Sequence, residues 1–190
     1  MSLIPAFEIG IWNAWLFIFC IVVLLPFLIR IFNKDAYKKM GTPSDIKLTK
    51  TEKRISYFTN LIVYLMLIYS VFMPLQLGTL WFYFGLAIFL LGLVVVIVAS
   101  VNFAVTPANE PSIRGMYRYS RHPMYLALFL GFLGASIASA SWIFLLLSIE
   151  VLILLNFISI NEERSLLEKY GETYRNYTYR TPRWIGMPKY

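Results

Sequence analysis

The chain has 190 residues, 59% of them hydrophobic and 14% charged, with a mean hydropathy of +0.67. A soluble domain carries roughly 25% charged residues, so an ordinary soluble fold is excluded. The net charge of +7 is spread over loops with no nucleic-acid-binding motif beside it, so nucleic acid is not the expected partner and anionic lipid head groups are.

Apolar runs long enough to span a bilayer, which takes about 20 residues, lie at about 9–32, 56–77, 80–103, 123–140 and 142–160. They use nearly the whole chain. The expected fold is therefore an all-α integral membrane protein with five transmembrane helices, forming a single domain over residues 1–190. The first run has no basic n-region and no small-residue cleavage site, so it is expected to stay as a helix. It contains the single cysteine, Cys20, expected as a small helix residue without a disulfide. The C-terminal Met187-Pro188-Lys189-Tyr190 carries no prenylation box.

The basic residues are segregated. Arg30, Lys34, Lys38, Lys39, Lys47, Lys50, Lys53 and Arg54 follow the first run. Arg114, Arg118 and Arg121 separate the third and fourth. Arg164, Lys169, Arg175, Arg180, Arg183 and Lys189 occupy the tail. The N-terminus and the turns at 76–79 and 140–141 have none. Five spans put all basic segments on one side, which the positive-inside rule makes cytoplasmic, with the N-terminus out and the C-terminus in. Trp12, Trp15, Trp81, Tyr83 and Trp142 then form an aromatic belt at the outer face. The C-terminal segment is expected to be a cytoplasmic amphipathic helix with Leu166, Leu167, Tyr170, Tyr174 and Tyr177 on its buried face.

Local chemistry marks the boundaries. Thr106-Pro107 ends the third helix, because proline disfavours helix in the residue before it. Pro123 suits the first turn of the fourth, where a missing N–H costs nothing. The short link at 139–141 makes the fourth and fifth runs an antiparallel hairpin, for which Gly131, Gly134, Ala135, Ala138 and Ser139 supply small residues for close contact.

That hairpin carries the polar chemistry. Arg121-His122-Pro123-Met124-Tyr125 stands where a basic loop becomes an apolar helix, and Glu162-Glu163 stands at the far end of the next. The hairpin returns both to one membrane face. Helix N-terminal N–H groups favour an anion, Arg118, Arg121 and His122 add positive or donor character, and Tyr117, Tyr119 and Tyr125 offer aromatic faces. Glu162 and Glu163 can accept from ribose hydroxyls or face a cation. S-adenosylmethionine has a carboxylate, a base, a ribose and a sulfonium; nicotinamide nucleotides fit in part.

Gly115-x-Tyr117-x-x-Ser120-Arg121-His122-Pro123-Met124-Tyr125, Glu162-Glu163, Tyr170-Gly171-Glu172-x-Tyr174-x-x-Tyr177 and Arg180-Thr181-Pro182-Arg183 together resemble the C-terminal half of the isoprenylcysteine carboxyl methyltransferases and their phospholipid methyltransferase relatives. The resemblance covers about residues 102–185. It implies an S-adenosylmethionine-dependent membrane methyltransferase, with S-adenosylhomocysteine as product, a cofactor site on the cytoplasmic face, and a membrane lipid or lipidated small acceptor entering from the bilayer. Carried over by position, Asn102, Tyr117, Arg121, His122, Pro123, Met124, Tyr125 and Glu162 contact the cofactor, and the loop at 109–112 adds backbone contacts. The membrane is the plasma or inner membrane of a prokaryote or the endoplasmic reticulum of a eukaryote.

One position departs from the carboxyl methyltransferases. They carry an arginine four residues before the first glutamate, a partner for the substrate carboxylate; here it is Ile158, which cannot neutralise one. Arg164 or Arg180 is left to substitute. The isoprenylcysteine acceptor is kept first and a phospholipid amine is the alternative. Methyl transfer is an in-line displacement governed largely by positioning. A carboxylate acceptor needs no base, whereas an amine must be neutral, so Glu162, Glu163 or Glu150 is the expected proton acceptor.

Glu150, near the middle of the fifth run, is costly in a membrane. It is expected either to hydrogen-bond Asn60 or Ser136 or to meet the substrate head group, and Asn156 is a second interhelical polar residue. One histidine and one lipid-facing cysteine make no metal ligand set. The rival readings are an NADPH-dependent, sterol-reductase-like enzyme and a non-catalytic membrane protein or transporter; paired discontinuous helices, expected of a transporter, are absent from the pattern.

Overall fold

A computed structural model describes residues 7–21, 27, 30, 49–107 and 109–188. Among them the chain is helical: α1 (Trp15–Phe19), α2 (Lys50–Val71), α3 (Leu80–Ala104), α4 (Pro123–Ala138), α5 (Trp142–Tyr170) and α6 (Glu172–Arg180), with a 3₁₀ turn at Gly115–Arg118. The only extended pairing among the described residues is one isolated bridge between Asn13 and Pro74. Of the expected first span, residues 22–26, 28–29 and 31–32 lie outside the described residues, as do Lys34, Lys38, Lys39, Lys47 and Lys189.

Among the described residues three helices have the length and apolarity to cross a membrane: α2 with 22 residues, α3 with 25 and α5 with 29. The fourth expected span is the shorter apolar helix α4, with 16 residues, or about 24 Å at 1.5 Å per residue against a hydrocarbon core of about 30 Å.

The helix starts follow from their caps. Thr49 and Glu52 form a reciprocal capping box at α2. The hydroxyls of Thr79 and Ser141 accept from Phe82 N and Phe144 N at the starts of α3 and α5. Pro123 opens α4, as expected.

The turns gather at two ends. At one, Ala14 N donates to Met73 O (2.8 Å), Leu75 N to Trp12 O (3.0 Å) and Gln76 N to Ala138 O (2.9 Å). The exposed Trp12, Trp81, Tyr83 and Trp142 sit beside these turns. At the other end Arg164 of α5 forks onto Glu52 of α2 at 3.0 and 3.1 Å, and the loop at Gly115 packs on Asn102 of α3. Every described Lys and Arg from residue 49 onward falls at this second end.

The small residues of α4 serve a different neighbour from the one expected. A Cβ on Gly134 would lie 2.7 Å from Gly85 O and Phe89 N, and one on Gly92 would lie 3.0 Å from Ala127 O. The glycine-rich face is therefore the α3–α4 contact, where two backbones approach; Gly131 faces Ile21 instead. Around this pair Phe17 stacks on Phe89 at 4.2 Å, and Phe132 meets Phe144 of α5 edge-on at 6.4 Å.

The tail also differs from a single amphipathic helix. α5 continues ten residues past the apolar run, so Glu162 and Glu163 lie inside it. Gly171, at φ 56 and ψ −130, then breaks the chain, a conformation that favours glycine. Leu166, Leu167 and Tyr170 thus belong to α5, and the buried Tyr174 and Tyr177 to α6. Cys20 is half-buried.

Glu150 is half-buried on α5. Its expected partners are otherwise placed: Ser136 donates to Leu133 O at 2.7 Å, and Asn60 is exposed. Asn156 accepts from Trp184 Nε1 of the C-terminal segment at 3.2 Å, not from another membrane helix.

Candidate active site

The loop entering α4 is shaped by Gly115. It has φ 62, and a Cβ there would overlap the Asn102 side chain, so Asn102 sits directly beneath the loop. Asn102 Nδ2 in turn donates to Val98 O at 2.6 Å. Tyr117 is buried and its carbonyl accepts from Tyr177 Oη at 2.6 Å. Ser120 Oγ accepts from His122 N at 3.1 Å and donates to Arg183 O at 3.2 Å.

His122 occupies the N-cap of α4 but gives it no side-chain cap. Its ring turns to α5, with Nε2 3.0 Å from Glu163 Oε1 and Nδ1 3.5 Å from Glu162 Oε2. The Tyr125 ring stacks on it at 5.4 Å, nearly parallel, and Tyr125 Oη donates to Glu162 Oε2 at 3.0 Å. Burial by itself would lower the imidazole pKa; the two glutamates outweigh it and hold the group above its ordinary value.

The adjacent glutamates have different surroundings. Glu163, 11% exposed, receives Arg183 Nε and Nη2 at 2.9 Å each, Arg121 Nη1 at 3.2 Å and His122 Nε2 at 3.0 Å. Glu162 is 38% exposed, and among the described residues no protein donor reaches its Oε1. An ionised carboxylate has about four acceptor sites; those of Glu163 are filled and those of Glu162 are not.

The structure thus brings Asn102 against the loop and His122, Tyr125, Glu162, Glu163 and Arg121 into one cluster beside Pro123 and Met124. None of the three expected substrate residues bonds to this cluster. Glu150 is about 18 Å along α5 from Glu162. Ile158 is packed against the apolar core, and Arg180 is exposed at the end of α6. Arg164, the other substitute for the missing arginine, is held by Glu52. Sequence reading placed Arg183 and Trp184 in no site; only the resemblance motif Arg180-Thr181-Pro182-Arg183 pointed there, since a non-helical segment has no periodicity to read.

Arg121 Nε and Ser112 Oγ are buried without a hydrogen-bond partner, a costly state unless something else accepts. Together with the open Glu162 oxygen, a buried cationic donor and a carboxylate suit a ligand with both a carboxylate and hydroxyls, as S-adenosylmethionine has. Among the described residues no three His, Cys, Asp or Glu side chains group as a metal site.

The phospholipid methyltransferase family model matches residues 80–173, from the start of α3 into α6. No curated protein matches the chain significantly. The matched span contains the glycine-packed α3–α4 pair, the Arg121-His122-Pro123 turn and Glu162-Glu163, and over that span the chain is similar to the phospholipid methyltransferase family.

Proposed function

We propose that the protein transfers a methyl group from S-adenosylmethionine to a membrane-embedded acceptor, at a site on the cytoplasmic side of the membrane. The observation that carries this reading is the cluster of His122, Tyr125 and Glu162 across the α4–α5 hairpin, at the basic end of the helices and inside the family match. In this reading Asn102, Tyr117, Arg121, His122, Pro123, Met124, Tyr125 and Glu162 surround the cofactor, which supplies the electrophilic methyl group when bound. Glu162 Oε1 accepts a ribose hydroxyl or takes the proton of an amine acceptor. Tyr125 and His122 hold Glu162 by its other oxygen, and the helices on either side limit water.

Among acceptors, the isoprenylcysteine carboxylate would need a cation that Ile158 does not provide. Arg164 is held by Glu52, and Arg180 is exposed at the end of α6. A desolvated carboxylate without a partner costs several kcal/mol. This supports an uncharged or amine-bearing lipid acceptor, phospholipid amine being the named alternative to isoprenylcysteine.

The test has two arms. Purified protein is heated with S-adenosylhomocysteine or with NADPH, and stabilisation by the first alone is expected; stabilisation by NADPH alone would replace this reading with a reductase. Labelled-methyl transfer is then compared on total membrane lipid and on N-acetyl-farnesylcysteine. Lipid is expected to be the better acceptor. Efficient methylation of the prenylcysteine, undiminished by Arg164→Gln or Arg180→Gln, would refute the carboxylate argument.

A further inference from the structure

The segment after α6 crosses back over the loop that leads into α4. Arg121 N donates to both Pro182 O (3.1 Å) and Arg183 O (3.2 Å), Ser120 Oγ to Arg183 O, and Gly186 N to Tyr119 O (3.0 Å). Below these backbone contacts two side chains grip one face of α5. Arg183 forks onto Glu163, and Trp184 Nε1 bonds Asn156 Oδ1. Glu163 and Asn156 are seven residues apart and so lie about 20° apart around the helix. This strap lies beyond residue 173, where the family match ends.

We propose that Arg183 and Glu163 are positioning residues: their ion pair ties the C-terminal strap to α5, and thereby sets the place of His122 and of the loop at 117–122, leaving Glu162 as the carboxylate that meets the ligand. The proposal rests on the proposed function for the word ligand, but its geometry does not. Glu163 has no acceptor position left for a substrate proton. Its four donor atoms come from two separate pieces of chain: Arg121 and His122 from the loop and N-cap, and Arg183 from the strap. Removing either of these pieces alters how the carboxylate presents itself to the imidazole.

The charged and titratable groups facing His122 are Glu162 and Glu163 from α5, Arg121 from its own loop, Tyr125 from α4 and Arg183 from the strap. Tyr117 and Tyr174 lie close enough to this group to feel its carboxylates. Burial and the neighbouring negative charge both disfavour ionisation of these two tyrosines.

His122 is the only histidine in the chain, so histidine-labelled protein in detergent or nanodiscs reports its titration directly by NMR. In Glu163→Gln the imidazole pKa is expected to fall by at least about half a unit, because a charge partner is lost. In Arg183→Gln it is expected to rise, since the carboxylate then serves fewer cations. Binding of S-adenosylhomocysteine to Arg183→Gln is expected to weaken about tenfold, the scale of one charge-assisted contact, and Arg183→Lys is expected to recover part of that loss. If Glu163→Gln does not fold, Glu163→Asp provides the same comparison, with a smaller fall in pKa. A histidine titration unmoved in both the Glu163 and Arg183 variants would overturn the proposal, as would wild-type affinity in Arg183→Gln. If the wild-type protein binds no S-adenosylhomocysteine, the functional reading fails while the titration still decides the positioning role.

Discussion

At the residue scale, Glu162 and Glu163 are neighbours in the chain that point about 100° apart around α5. One meets Tyr125, an edge of the imidazole and open space; the other meets two arginines and the other imidazole nitrogen. Replacing His122, Tyr125 or Glu162 by alanine is expected to weaken S-adenosylhomocysteine binding roughly ten- to a hundredfold, since a hydrogen bond to a charged group is worth about 1.5–3 kcal/mol. Calorimetry on folded variants measures this, and unchanged affinity in all three would make the cluster purely structural. The histidine also gives a pH dependence. Its folded-state pKa lies above the unfolded value of about 6.5, so its contribution to stability is complete below about pH 6.5 and is lost as pH rises through the folded-state value. The melting-temperature gap between wild type and His122→Gln is therefore expected to be widest at acid pH and to narrow on the alkaline side; a gap that widens with pH contradicts the assignment.

At the scale of elements, the glycines of α3 and α4 set the distance between two helices. A side chain at Gly134 meets backbone atoms of Gly85 and Phe89, which cannot swing aside as a flexible side chain can. Gly134→Val is expected to destabilise the protein by about 1–3 kcal/mol, as overpacking does, whereas Leu90→Ala, at a position exposed on the same helix pair, is expected to cost much less. Unfolding in mixed detergent micelles compares the two, and equal effects would show that the close approach is not required. Gly171 matters for a different reason: nothing lies within 4 Å of its added Cβ, and only its backbone angles call for glycine.

At the scale of the whole molecule, the described Lys and Arg from residue 49 onward share one end and the exposed tryptophans the other. With the basic end cytoplasmic, single cysteines at Leu77 and Arg180, in a Cys20→Ala background, are expected to be labelled from opposite sides of sealed vesicles, Leu77 from the outside. Labelling of both from one side would overturn the arrangement.

Much of this was legible in consecutive residues. The start of α3 at Leu80, the proline opening of α4 and the tight link before α5 follow from hydropathy and from backbone preferences that each residue carries with it. The motif around His122 and the pair Glu162-Glu163 were also visible, because a polar cluster at the edge of an apolar run stands out. Three things were not. The stripe of small residues on α4 announced a close contact, but not that its partner was α3, because every neighbouring helix is apolar and hydropathy does not distinguish them. The ten-residue extension of α5 beyond its apolar run is held by Glu163 and Arg164 through partners far away in the chain. Arg183 reached Glu163 only through the turn at Gly171 and the path of the strap. Local sequence determines where a helix can begin and which face of it is apolar; which carboxylate is saturated and which is left open depends on what the rest of the chain brings against it, and that is decided by packing.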